Sequence, residues 1–198
     1  ENSDGEYAGQ GGRAHRGLPD EVATEVAIFT RVCVERIMRY AFALAQSRPR
    51  KLPTVVTKSN AQRHGMVMWD EIAAQTAEAF PDVAWDKMLV DAMTVRMVKA
   101  PRSLDTIVAT NLQADILSDL AGALAGSLGV APTGNIAPER RFPSMFEPIH
   151  GSAFDITGKG IATTVEAFWT ACQMLEHLGE AGAAARDKRA LEQVCADG

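Results

Sequence analysis

Two aspartates four residues apart, Asp115 and Asp119, stand in the apolar run ATNLQADILSDLAGALAGSLG at 109–129. On a helix this spacing sets both carboxylates on one face, where they can converge on a cation. Oxygen donors of this kind suit a hard divalent ion, Mg2+ or Mn2+, and do not choose between the two. Taken alone, the pair is better explained as a solvated acidic stripe, since exposed helices often carry it. Asp91 ends the stretch VAWDKMLVD, 83–91, directly after Met88, Leu89 and Val90. A carboxylate there needs a partner, and strand ends in α/β folds are where ligands bind. Capping of the following helix is the alternative.

Lys58 and Asn60 follow the apolar TVV of LPTVVTKSN. A lysine at a strand end can carry protons if its surroundings lower its pKa; otherwise it is a surface residue opening a loop. Tyr7 can donate a phenolic proton or simply pack. The stretch FEPIHGSAFDITGKGIATT, 146–164, combines glycines with His150, Ser152 and Asp155. Glycine lets backbone approach a ligand, and an acid beyond such a loop can bind a ribose diol while repelling a 2′-phosphate. It contains no GxGxxG fingerprint, and His150 alone is better explained by a structural role.

These residues require elements to hold them. Residues 8–20 are glycine-rich and polar and predict a flexible loop. Alternation through Val22, Thr24, Val26 and Ile28 predicts an extended arm over 21–31. Helical spacing follows over 32–47, then a buried strand at 52–60, a helix at 66–79, and a strand at 83–91 that ends on Asp91. AMTVRMVKA predicts a short helix, PRSLDTIVAT a turn and strand, and the aspartate pair lies on the next helix. After Gly126 the texture turns to Gly- and Pro-rich loops. A helix from about Ala162 to Leu178 and a polar tail close the chain. Strands alternating with helices give an α/β fold with partly parallel pairing.

The 198 residues carry a net charge of −5 without a basic stripe, which argues against a nucleic-acid surface. No apolar run approaches a membrane span. Cys33, Cys172 and Cys195 are odd in number and lack CxxC spacing, which fits reduced thiols in a cytoplasm.

Taken together, TKSN, VD, TNLQADILSD, APTGN and FEPIHGSAFDITGKGIA resemble, in order, the β-decarboxylating dehydrogenases, the isocitrate/isopropylmalate dehydrogenase family. ENSDGEYAG, FTRVCVERIMRYAFALAQSRPRK and TKSNAQRHGMVMWDE are most similar to its tartrate/D-malate dehydrogenase branch. The resemblance implies an isopropylmalate-dehydrogenase-like α/β fold with a parallel or mixed sheet flanked by helices. Residues 1–126 would form most of a dimer-forming substrate and metal domain, and 127–198 the carboxy-terminal part of a coenzyme domain. It implies that Asp115 and Asp119 hold Mg2+ or Mn2+ against substrate. Asp91 and Lys58 would be donated across a homodimer, the first to the metal and the second to relay the hydroxyl proton. Tyr7 would assist protonation after carbon dioxide leaves. Asn60 would lie near the nicotinamide, with Glu147, His150, Gly151, Ser152, Ala153, Asp155 and Thr163 around the adenosine of NAD.

The implied activity is oxidative decarboxylation of a small 2-hydroxy diacid, D-malate or tartrate first and 3-isopropylmalate second. Hydride loss from C2 needs a base for the hydroxyl proton, and a cation stabilises charge developing on the C2 oxygen. The chain departs from the family pattern in several places. QAD replaces FGD before Asp115, Phe154 replaces a proline, and IATT replaces IANP. Family members are also longer at the amino end, where the arginines that grip substrate carboxylates lie. A second expectation is therefore a non-catalytic remnant that keeps dimerisation and metal or nucleotide binding.

Overall fold

Strand β3 (Pro53–Thr57) is buried at every position, and its neighbours explain why. It lies between β4 (Asp86–Leu89) and β5 (Thr106–Val108), parallel to both. Parallel strands joined by helices are covered on both faces, so they tolerate continuous apolar runs. Successive side chains point to opposite faces. Val55 accordingly packs with Val34, Met38, Phe42, Trp69 and Ile72, whereas Val56 packs with Met93, Met97 and Leu117.

The first face is covered by α1 (Arg31–Ser47) and α2 (Gly65–Ala77). In α1 the buried residues Val34, Met38, Ala41, Phe42 and Ala45 recur at helical spacing. The Thr30 hydroxyl caps its start, accepting from the Cys33 amide at 3.4 Å. The second face receives α3 (Val90–Lys99) and α4 (Asn111–Ala125). These elements agree with the helices and strands anticipated from periodicity.

The computed structural model describes residues 4–126 and 128–197 and divides into two compact units, residues 1–120 and 121–198. In the first unit, the loop anticipated at 8–20 is a strand over 8–14 and a turn only over 15–20. β1 (Gly5–Ala14) pairs antiparallel with β2 (Val22–Ile28). Glycine permits this close pairing: a Cβ on Gly11 would lie 2.1 Å from the Thr24 carbonyl oxygen. Every residue of β2 is exposed.

In the second unit, β6 (Pro132–Asn135) and β7 (Met145–Pro148) form an antiparallel hairpin where only irregular loops were anticipated. The hairpin packs on α5 (Val165–Leu178), with the Thr170 hydroxyl donating to the Glu147 carbonyl at 3.3 Å. Gly179, at φ 93°, ends α5, and the Glu180 amide bonds back to the Leu175 carbonyl. The supposed polar tail is α6 (Ala181–Asp197), held to α5 with Ala184 buried.

Candidate functional site

A break in β1 positions Tyr7. The pairing register jumps from Gly5↔Ile28 to Gln10↔Val26, so residues 6–9 stand opposite Ala27 alone. Such bulges re-aim side chains, and here two acquire partners on another element. Glu6 Oε1 accepts from the Thr110 hydroxyl at 2.8 Å, and the Tyr7 hydroxyl donates to Asp115 Oδ2 at 2.9 Å. Thr110 immediately precedes α4, so Glu6 fixes the helix start and Tyr7 reaches its first turns.

Within α4, Gln113 and Leu117 face inward while Asp115 and Asp119 are exposed. The two carboxylates are therefore accessible on successive turns, an all-oxygen pair suited to a hard divalent cation. The Asp119 carboxylate is exposed on the helix surface.

Lys58 follows β3; the strand anticipated to end on Asp91 ends at Leu89, and Asp91 lies instead in the first turn of α3. Thr57 pairs with Leu89 across β3 and β4, which carries the two side chains out of the sheet at the same edge. Lys58 Nζ and Asp91 Oδ1 are 2.5 Å apart. That hydrogen bond holds the Asp91 carboxyl below its ordinary value of 3.8. The Lys58 carbonyl accepts from the Ala61 and Gln62 amides, and Ser59 donates to Asp70 at 2.7 Å, so the turn bearing exposed Asn60 is tied to α2. Lys87 neutralises Asp70 at 2.8 Å. Among the described residues, no group of three or more His, Cys, Asp or Glu gathers as a metal centre within the chain. Asp91 is brought to Lys58, whereas Asp115 is brought to Tyr7.

In the second unit, Glu147 lies in β7, and the chain then turns through His150, Gly151 and Ser152. Ala153 takes a left-handed conformation at φ 45° and opens a single 3-10 turn, Phe154–Ile156. Asp155 is exposed in that turn, and the Phe154 side chain points to solvent at 84% exposure, leaving the carboxylate uncovered. Thr163 Oγ1 accepts from the Val165 amide at 3.3 Å at the entry to α5. An uncovered carboxylate that can accept from a ribose diol, a glycine-bearing turn and a hydroxyl are polar groups that fit the adenosine part of a dinucleotide.

Glu6, Thr110, Asp70 and Glu166 stand outside the spacing motifs of the sequence. For Glu166 a signal was present: a charge in a helix whose neighbours are Val165, Ala167 and Phe168.

The chain matches the isocitrate/isopropylmalate dehydrogenase family over residues 1–198. It is 81% identical over 194 residues to a probable tartrate dehydrogenase/decarboxylase of Agrobacterium vitis, covering 98% of this chain and 54% of that protein. It is 50% identical to the decarboxylating D-malate dehydrogenase of Escherichia coli, covering 90% of this chain and 50% of that protein. The crystal structure of isocitrate dehydrogenase from Methylococcus capsulatus superposes with a TM-score of 0.91 at 40% identity, over all of this chain and 57% of that one. The chain thus spans about half the length of the curated relatives it matches. With its parallel sheet between helices and its match along the full sequence, the chain belongs to the isocitrate/isopropylmalate dehydrogenase family of enzymes.

Proposed function

We propose that the protein built on these residues is an NAD-dependent oxidoreductase that also requires Mg2+ or Mn2+. It oxidises a small 2-hydroxy diacid at C2 and releases its 3-carboxylate as carbon dioxide. D-malate or tartrate is the first choice of substrate and 3-isopropylmalate the second, a choice supported by the names of the relatives at 81% and 50% identity.

The observation that carries the reading is the contact between Tyr7 and Asp115, which puts a phenolic proton on a carboxylate assigned to the cation. Asp115 and Asp119 hold that cation, joined by Asp91. When bound, the cation supplies positive charge for the C2 oxygen and the nicotinamide supplies the hydride acceptor. Lys58 accepts the hydroxyl proton at Nζ, and Asp91, bonded to the same nitrogen, orients it. Tyr7 returns a proton to C3 after carbon dioxide leaves. Asn60 borders the nicotinamide, and the segment from Glu147 to Thr163 holds the adenosine. The negative charge of Asp155 disfavours a 2′-phosphate, hence NAD over NADP.

Lys58 and Asp91 form one pair and Tyr7 and Asp115 another. This arrangement supports a homodimer in which Lys58 and Asp91 cross to the partner's Tyr7 and aspartates. The exposed apolar residues Val22, Val26 and Ile28 of β2 support a ribbon that is covered by a second copy. Among the described residues no helix is long and apolar enough to cross a membrane. The free cysteines support a cytoplasmic setting.

The test is NADH formation with Mn2+ and D-malate, tartrate or 3-isopropylmalate in turn, with carbon dioxide release followed in parallel. The expected result is turnover of D-malate or tartrate in preference to 3-isopropylmalate. Failure of all three diacids to reduce NAD+ would overturn the reading.

A further inference from the structure

Glu166 is fully buried in the first turn of α5. A buried carboxylate is costly unless hydrogen bonds satisfy it; here one oxygen accepts from backbone and the other lies against the His150 ring. Oε1 accepts from the Ile149 amide and, at 3.4 Å, from the His150 amide. Oε2 stands 2.9 Å from His150 Nε2, an ion-pair distance, and is itself without a hydrogen bond among the described residues. The other ring nitrogen, Nδ1, lies 2.7 Å from the Gly151 carbonyl oxygen. One side chain thus meets two consecutive amides and the imidazole between them, at the point where β7 gives way to the turn leading to Asp155. A helix start also favours a negative charge at this position.

The His150 side chain nevertheless remains 42% exposed. Its ring is fixed on one edge and open to solvent elsewhere. An apolar residue at position 166 would leave the Ile149 amide without its acceptor and His150 Nε2 without its partner.

We propose that Glu166 is a positioning residue for the adenine nucleotide: it sets the His150 ring and the start of the loop that carries Asp155. This role rests on the coenzyme reading given above. Glu166 does not touch the coenzyme; it acts through His150 and the 149–150 backbone. Ordering these groups beforehand lowers the entropy cost of binding.

The test compares wild type, Glu166→Gln and Glu166→Ala in the complete enzyme. NAD+ affinity is measured by calorimetry, Mn2+ affinity serves as the control, and the imidazole nitrogens of His150 are followed by NMR without coenzyme. Glu166→Ala is expected to bind NAD+ about tenfold more weakly with Mn2+ binding unchanged. Glu166→Gln keeps an oxygen for the amides but offers His150 an amide group; its loss of NAD+ affinity is expected to be about threefold, with the His150 resonances shifted. If Glu166→Ala does not fold, Glu166→Gln decides. Unchanged His150 resonances together with unchanged NAD+ affinity in the glutamine variant would overturn the role. Shifted resonances with no NAD+ binding by the wild type would instead sink the coenzyme reading, and this role with it.

Discussion

The hydroxyl of Tyr7 donates to Asp115 Oδ2 at 2.9 Å, joining the bulge of β1 to the exposed face of α4. Because Tyr7 is about half exposed, removing its oxygen leaves no cavity. Tyr7→Phe should therefore keep the fold and the metal site while slowing formation of the decarboxylated 2-keto acid by about a hundredfold. Product analysis alongside NADH formation checks this, and normal product formation by the variant would remove Tyr7 from the mechanism.

The two exposed carboxylates of α4 give a prediction independent of turnover. Asp115→Asn and Asp119→Asn should each weaken Mn2+ binding by about tenfold or more, since each removes an anionic oxygen ligand. Paramagnetic resonance of free Mn2+ reports the affinity directly. Wild-type affinity in both variants would return the pair to the status of a solvated acidic stripe.

For Asp91 the sign of the pH effect follows from its depressed pKa in the folded chain. Its contribution to stability is fully present above the ordinary value of 3.8 and is lost as pH falls through the lower folded value. Lys58→Met removes the hydrogen bond that causes the shift, so the Asp91 titration should move up toward 3.8. Carboxyl NMR across the acid range measures it; an unmoved titration would mean that another group holds Asp91.

The proposed crossing of Lys58 and Asp91 between subunits predicts complementation. Lys58→Met and Tyr7→Phe should each be nearly inactive alone, yet refolding equal amounts together should restore about one quarter of wild-type activity. That recovery arises because mixed dimers contain one site with both residues intact. A mixture no more active than its components would confine the site to one subunit.

Packing predicts a stability effect away from the chemistry. Phe42 is fully buried, with its ring centroid 5.7 Å from Phe80 and 6.2 Å from Trp85. Phe42→Ala should destabilise the chain by about 3–5 kcal/mol. Urea unfolding followed by tryptophan fluorescence tests this; a loss below about 1 kcal/mol would contradict the packing described.

The core elements were legible because their apolar spacing repeats over several turns. In α1, Val34, Met38, Ala41, Phe42 and Ala45 state both the helix and its buried face. β1 was not legible because glycines erase the alternation that marks a strand, and its pairing rests on backbone groups. β6 and β7, four residues each, are too short to show a period. α6 shows no clear period because charged residues dilute its apolar face, although its alanine-rich opening AGAAARDKRA favours a helix. In the candidate site, the residue types and the i, i+4 aspartates were readable. The neighbours that aim them were not, since Glu6 finds Thr110 and Glu166 finds His150 only through the tertiary fold.

The ladder of β3 and β4 has a consequence for how the chain tolerates change in length. Lys58 and Asp91 are 33 positions apart, yet their meeting depends on the register that pairs Thr57 with Leu89. Residues inserted between Glu78 and Ala84, in the connection after α2, would lengthen a loop without altering that pairing. One residue deleted from 54–57 would instead turn the following side chain to the opposite face of the sheet. The lysine's reach to its carboxylate is therefore insulated from variation in the connection and vulnerable to a single step within the strand.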